Sequence, residues 1–260
     1  MKFHTFAICA YKESPYLEAC IRSLKRQTVK SEVICTTSTP GPYLTRLTEK
    51  YGIPLYVREG ESDIQEDWNF AIEKANGQFV TIAHQDDMYG RHYAEELQNA
   101  FRRWPDMTVF MTDAVTVKQG KLVRFGLKEF VKKALRLPLR LHSMADREII
   151  KKGALKLGNP VVCPSCTYRK NYLPDPIFHS ECRYALDWDC MTDLAKWPGR
   201  FICVEKPLMF YRVHEGATTK ACIENHQRER EERQMFEKFW PRPVVEVLMH
   251  FYKKAYQEYE

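Results

Sequence analysis

The chain reads as an α/β fold built on a mainly parallel sheet flanked by helices, with a helical C-terminal extension. Three observations predict it. Short apolar runs alternate with amphipathic helical patterns from residue 3 onward, the order expected of strand-helix-strand units. The 260 residues, 44% of them hydrophobic, can fill one large core. Beyond Ile223 the strand pattern ends and two helical segments remain, separated by Pro241 and Pro243.

Phe3 to Ala10 is a short apolar strand, and Ser14-Pro15 supplies an N-cap and a first-turn proline for the next helix. Leu17, Cys20, Ile21 and Leu24 recur at helical spacing on its inner face. A strand at Glu32 to Cys35, a polar turn "TTSTPGP", a helix near Tyr43 to Tyr51 and a strand at Pro54 to Arg58 follow. Asp63 and Glu66 have capping-box spacing, Trp68, Ala71, Ile72 and Ala75 form one apolar face, and Gly77 is placed to close that helix. Gln78 to Ala83 is then a strand that ends in "HQDD". Tyr93 to Trp104 is an amphipathic helix stopped by Pro105, and Thr108 to Val117 is a β-branched strand ending at "KQGK". Strands are expected again at Val161 to Arg169, Arg200 to Val204 and Leu208 to Val213, with a helix from about Asp187 to Trp197.

With 40 basic against 34 acidic residues the net charge is +6, a mild excess suited to nucleotide phosphates or an anionic membrane surface, and too dispersed to argue for nucleic acid. The most basic part is "LVRFGLKEFVKKALRLPLRLHSMADREIIKKG", which reads either as a solvated helix face or as a surface resting on anionic lipid. The opening residues read as a first strand rather than a secretion signal, and no apolar run is long enough to span a bilayer. Nine cysteines without an export signal favour reduced thiols and a cytoplasmic location, with peripheral contact at the inner face of a membrane as an extension of that reading. The one C-x-x-C pair, Cys163 and Cys166, lies in an apolar run and reads as core.

Three clusters carry chemistry. Asp86 and Asp87 end a buried strand in a sheet type that binds ligands beyond its carboxyl edge; they form either a polar turn or a site where a carboxylate and substrate phosphates share Mg²⁺ or Mn²⁺. Asp187, Asp189 and Asp193 open a helix. Asp187 and Asp189 differ by about 200° around its axis, so one works while the other caps or faces solvent. In "YRVHEGATT" a strand runs into Arg212, His214 and Gly216, a composition suited to phosphate or metal.

Taken together these clusters resemble the inverting glycosyltransferases of family 2, which have the Rossmann-like GT-A fold. The likeness covers about residues 3 to 219 and rests on "FAICAYKESPYLEACIRSLKRQT", on "WNFAIEKANGQFVTIAHQDD" and on "YRVH". It implies a GT-A domain at 1–219, with a nucleotide-sugar-binding half at 1–117 and an acceptor and catalytic half at 118–219, followed by the extension at 220–260. It implies Asp187 as catalytic base, Asp86 and His214 as ligands of a divalent metal, Mn²⁺ or Mg²⁺, and donor contacts from Ala10, Tyr11, Glu13, Thr37, Asn69, His84, Gln85, Asp87 and Arg212. The implied partners are a nucleotide-diphosphate sugar and a glycan or lipid-linked acceptor, as in polysaccharide or glycoconjugate synthesis.

Departures from the family pattern are specific. His84 stands at the first acidic position of D-x-D, Leu186 where Glu is common, Trp68 where many members have Arg, and Thr36-Thr37-Ser38-Thr39 where the second strand usually ends in Asp. They motivate an alternative, a nucleotide-sugar-binding protein of the same fold without catalysis. A sugar nucleotidyltransferase is the other alternative, but it calls for a glycine-rich loop after the first strand, and Ala10-Tyr11-Lys12-Glu13-Ser14 has no glycine.

Overall fold

The computed structural model describes residues 2–118, 120–123, 126–213 and 226–256. Its first part alternates as expected: β1 (Lys2–Ala10), α1 (Leu17–Lys25), β2 (Glu32–Thr37), α2 (Pro42–Tyr51), β3 (Leu55–Val57), α3 (Ile64–Lys74) and β4 (Gly77–His84). There follow β5 (Met88–Tyr89), α4 (Tyr93–Arg103), β6 (Met107–Lys118), β7 (Lys121–Val123), α5 (Leu127–Leu135), α6 (Glu148–Leu155), β8 (Cys166–Arg169), α7 (Leu186–Leu194) and β9 (Arg200–Val213). Two helices, α8 (Gln227–Glu237) and α9 (Arg242–Tyr256), complete the described chain.

One sheet in the order β3-β2-β1-β4-β8-β6-β9-β5, with β7 on β6, runs through the molecule. The strands from β3 to β4 are all parallel, as are β6 and β9. β8 pairs antiparallel with both β4 and β6, so the second half of the sheet is mixed. Alternation along β1 sends Phe6 and Ile8 to one apolar cluster and Ala7 to the other. α1, α2 and α4 cover the first face; α3, α6, α7, α8 and α9 cover the second. A sheet buried on both sides leaves only its ends for ligands, and the parallel strands all present their carboxyl ends at one edge.

Several local expectations change on long-range contacts. Ser14 is not the cap of α1: the cap position is Tyr16, without a side-chain bond, and the Ser14 hydroxyl reaches Asp86 instead. Gly77 does not close α3 but opens β4, where its N–H donates to Thr5 Oγ1 at 2.8 Å and a Cβ would stand 2.6 Å from the Thr5 nitrogen. The turn expected at Thr36 begins later, because β2 pairs with β1 through Thr37. Residues 163–165 form a short 3-10 turn, so the strand expected from Val161 starts only at Cys166. The two strands expected at 200–204 and 208–213 are one, β9, whose register against β6 shifts where Thr112 pairs with Val204 and Asp113 with Pro207. A proline lacks the N–H a regular ladder needs, and an irregularity accommodates it. Pro243 lies in the first turn of α9, where the missing N–H costs nothing.

The basic segment fits neither of its two expected roles throughout. Arg136, 2% exposed, donates to Asp113 Oδ1 and to the Pro160 carbonyl. Lys151, 1% exposed, donates to the carbonyls of Trp197 and Gly199. These two cations hold the fold. Cys163 and Cys166 are both buried, with their thiols pushed up by burial, as core residues.

Candidate functional site

The ends of β1 and β4 lie side by side, with Cys9 opposite His84. The loops that leave them are tied together. Gln85 donates its amide to the Tyr11 carbonyl at 2.9 Å and accepts from the Tyr11 N–H at 3.2 Å. Ser14 Oγ donates to Asp86 Oδ1 at 2.5 Å. Arg212, near the end of β9, donates its backbone N–H to Asp87 Oδ1 at 2.8 Å and its Nε to the Asp86 carbonyl at 3.0 Å, while its guanidinium lies over the Tyr16 ring. Three strands and the loop after β1 thus fix one acidic turn.

The two carboxylates differ in kind. Asp87 is 2% exposed and burial pushes it up to about 8, against the opposing pull of the Arg212 N–H and guanidinium. Its Oδ2 lies 3.9 Å from His84 Nδ1 and has no hydrogen-bond partner among the described residues. His84 is pushed down to about 4 by burial, so it is a neutral imidazole at pH 7. It stacks on Trp68 with ring centroids 5.4 Å apart and planes 27° apart, and Trp68 in turn meets the edge of Phe178. The two departures noted in the sequence, His84 and Trp68, are therefore a single aromatic pair. A stacked indole suits a neutral ring, and the His84 imidazole is held neutral by burial.

The donor set suits a hard cation in one mode. Asp86 offers carboxylate oxygen at the loop tip, Asp87 Oδ2 is a buried oxygen without a donor, and Mg²⁺ or Mn²⁺ taken up with substrate phosphates needs only one or two protein carboxylates. Among the described residues no group of three His, Cys, Asp or Glu side chains is arranged to hold a metal without such help. His214, the second expected ligand, lies outside the described residues.

The other expected donor contacts divide. Ala10 and Thr37 are neighbours in the β1–β2 register at the same edge, Tyr11 is half exposed there, and Glu13 is exposed on the adjoining loop. Thr37 Oγ1 accepts from the Thr39 N–H and shapes the turn after β2. Asn69 donates its amide to the Phe178 carbonyl at 2.7 Å and accepts from the Phe178 N–H at 3.0 Å, so it also clips a loop distant in sequence.

An acid that the sequence reading did not single out lies against the turn after β2. Asp67, on α3, pairs with Arg58 Nε at 2.7 Å and accepts from Ser38 Oγ at 2.9 Å and Ser62 Oγ at 3.2 Å. An acid therefore does stand just beyond β2, delivered by a helix. Its position after the Asp63 cap, one turn into α3, is the only signal the sequence carries.

Asp187 sits in the first turn of α7, with no hydrogen bond or ion pair to the Asp86 turn among the described residues. Burial raises its carboxyl, opposed by the Trp188 N–H on Oδ1 at 2.8 Å, by the Asn159 amide on Oδ2 at 3.1 Å and by the charge of Lys132. A partly accessible carboxylate with a raised pKa and a neighbour that orients it has the properties of a general base. Asp189 neither caps nor faces solvent, as was expected of the second acid; it is buried, accepts from Ser180 Oγ at 2.7 Å and pairs with Lys238. Asp193 makes a half-exposed pair with Lys196.

The model of "Glycosyl transferase family 2" matches residues 5–173 of the chain. No curated protein matches it. Among solved structures, residues 1–349 of S. aureus TarS superpose with a TM-score of 0.64 at 15% identity, covering 96% of this chain and 69% of that one. The same protein in complex with UDP-GlcNAc gives a TM-score of 0.64 at 15% identity over 96% and 70% of the two chains. The mannosyltransferase PcManGT from Pyrobaculum calidifontis, in complex with GDP-Man and Mn²⁺, gives 0.65 at 15% identity over 95% and 68%. At these identities the likeness is one of fold. No helix among the described residues is long and apolar enough to cross a membrane.

Proposed function

Because the chain belongs to glycosyl transferase family 2, we propose that it moves a sugar from a nucleotide-diphosphate donor to an acceptor hydroxyl in a single displacement that inverts the anomeric carbon. The observation that carries this reading is Asp187, a carboxylate raised by burial and oriented by Asn159 on an element separate from the acidic turn at β4. One carboxylate serves the acceptor and the other the donor.

In this reading the edge formed by Ala10, Tyr11, Thr37, Asp67 and the Asp86 turn receives the nucleotide, and residues 1–117 form the donor half. Asp86, assisted by Asp87, would hold Mn²⁺ or Mg²⁺ together with diphosphate oxygens, and the bound cation supplies neutralisation of the leaving diphosphate. Asp187 takes the proton from the acceptor hydroxyl as that oxygen attacks, which contributes on the order of 10²–10⁴-fold. Alignment of the two substrates by the shared sheet supplies a further part of the acceleration.

Donors of the kinds bound by the structural neighbours, UDP-GlcNAc and GDP-mannose, are the first to test. A thermal-shift and calorimetric screen with UDP, GDP and these sugars, with and without Mn²⁺, is expected to give metal-dependent stabilisation by mass action. Asp86→Asn is expected to remove the metal dependence, and Asp187→Asn to abolish transfer while sparing donor binding. Turnover unchanged in Asp187→Asn would remove that residue from the base role. Donor binding without sugar release from any acceptor offered would favour the non-catalytic binder.

The acceptor side falls to residues 118–219. Phe130 and Ile149, 69% and 78% exposed on α5 and α6, stand among lysines, which supports a lipid-linked or anionic glycan acceptor and peripheral membrane contact. Binding to anionic vesicles that weakens with salt is the expected outcome; no binding at low ionic strength would overturn it.

A further inference from the structure

The C-terminal helices hold both elements that fix Asp187. Glu231, on α8 and 7% exposed, accepts from three successive backbone N–H groups: Arg183 at 3.1 Å on Oε1, and Tyr184 and Ala185 at 2.7 and 2.9 Å on Oε2. Gln227 donates to Oε1 at 2.7 Å and completes the shell of this carboxylate. Ala185 is the cap position of α7 and offers no side-chain cap of its own. One donor that the helix start leaves unsatisfied, the Ala185 N–H, and the two N–H groups just before it are taken by a carboxylate from another helix, with the charge sign that suits a helix N-terminus.

The second hold is on the loop that carries Asn159. Trp240 Nε1 donates to the Lys156 carbonyl at 2.6 Å, and Tyr252 packs over Gly158, where a Cβ would run into its hydroxyl. Gly158 has a φ of 142°, a conformation that itself favours glycine. Lys238, which ends α8, pairs with Asp189 two residues beyond Asp187.

We propose that Glu231 is a positioning residue for sugar transfer: it sets the start of α7 and, through it, the direction in which the Asp187 carboxyl meets the acceptor hydroxyl. The inference rests on the reading of Asp187 as the base. The helix turns by about 100° per residue, so a start displaced by one residue would swing Asp187 away from the acceptor. Leu186 occupies the place of the acid common in the family, and Glu231 delivers an acid to the same helix start from outside the segment matched by the family model.

The test uses the full chain with Glu231→Ala and Glu231→Gln, the second of which keeps one acceptor oxygen. Three quantities are read: nucleoside-diphosphate release from a panel of UDP- and GDP-sugars with Mn²⁺, calorimetric affinity for UDP and GDP, and amide hydrogen exchange over residues 183–189. In Glu231→Ala, kcat is expected to fall about tenfold or more with nucleotide affinity unchanged, and exchange at 184–189 to accelerate by a similar factor. Glu231→Gln should fall between Glu231→Ala and the parent protein. Unchanged kcat, unchanged exchange, or a loss of nucleotide affinity in step with kcat would each overturn the positioning role. Full turnover in Asp187→Asn would overturn the base reading instead, whatever Glu231→Ala does.

Discussion

Asn159→Ala removes the amide that donates to Asp187 Oδ2 at 3.1 Å and leaves the Trp188 N–H on Oδ1 in place. A hydrogen bond to a charged group contributes about 1.5–3 kcal/mol, which corresponds to about tenfold to a hundredfold in the equilibrium it controls. Burial raises the Asp187 carboxyl and the Asn159 amide opposes that rise, so losing the amide moves the carboxyl further up. A base acts only when ionised. The acid limb of the kcat profile therefore moves to higher pH, and turnover on that limb falls about tenfold or more. Asn159→Asp sets a second carboxylate against the first and should move the limb further in the same direction. The assay is nucleoside-diphosphate release followed on both sides of neutral pH. An acid limb in Asn159→Ala that coincides with the parent's, at equal kcat, would refute both the orienting contact and the base it orients.

Gly77→Ala drives a Cβ to 2.6 Å from the Thr5 nitrogen and 2.7 Å from the Phe79 oxygen; overpacking of this kind costs about 1–3 kcal/mol and should lower Tm by several degrees, whereas an unchanged Tm would contradict the close strand approach. Glu32 is raised by burial but more strongly lowered by hydrogen bonds from Thr5, Asn76 and Lys2, to about 2. Its contribution is complete above about pH 4.5 and is lost as pH falls toward about 2. Urea midpoints measured through that window should fall less steeply in Glu32→Gln than in the parent, and parallel curves would count against the assignment. Lys238→Ala strands the Asp189 carboxylate, whose side chain is 7% exposed, and should cost about 2–3 kcal/mol. Asp193→Ala loses only a half-exposed pair and should stay within about 0.5 kcal/mol by denaturant titration.

Local patterns foretold the elements whose causes are local. Asp63 and Glu66 marked the start of α3, and Asp63 does accept from the N–H of Gln65 and Glu66. The apolar spacing of Leu17, Cys20, Ile21 and Leu24 placed the buried face of α1. Ser14 and Gly77 were misread for one reason: each has a residue type that caps helices, and each was recruited by a partner more than seventy residues away. The same distance in sequence hid the site's finer structure. His84 and Trp68 look like two unrelated substitutions until the fold stacks them, and β2 looks short of acid until Asp67 arrives from α3. Glu231 could not be read at all, since nothing in its own helix distinguishes a carboxylate that faces solvent from one that receives three foreign N–H groups.

β8 has a further consequence during synthesis. This four-residue strand is the shared neighbour of β4 and β6, with Tyr168 opposite both Val80 and Val109. As the chain leaves the ribosome, β4 and β6 are complete before their common partner exists, and each carries an apolar edge with unsatisfied backbone groups. The two run in the same direction, so they could pair with each other in the gap that β8 must later enter. Insertion of a short central strand between two waiting edges is a long-range event, which is slow and exposes the chain to aggregation. Substitutions that weaken β8 should therefore reduce the yield of folded protein more than the activity of the molecules that do fold.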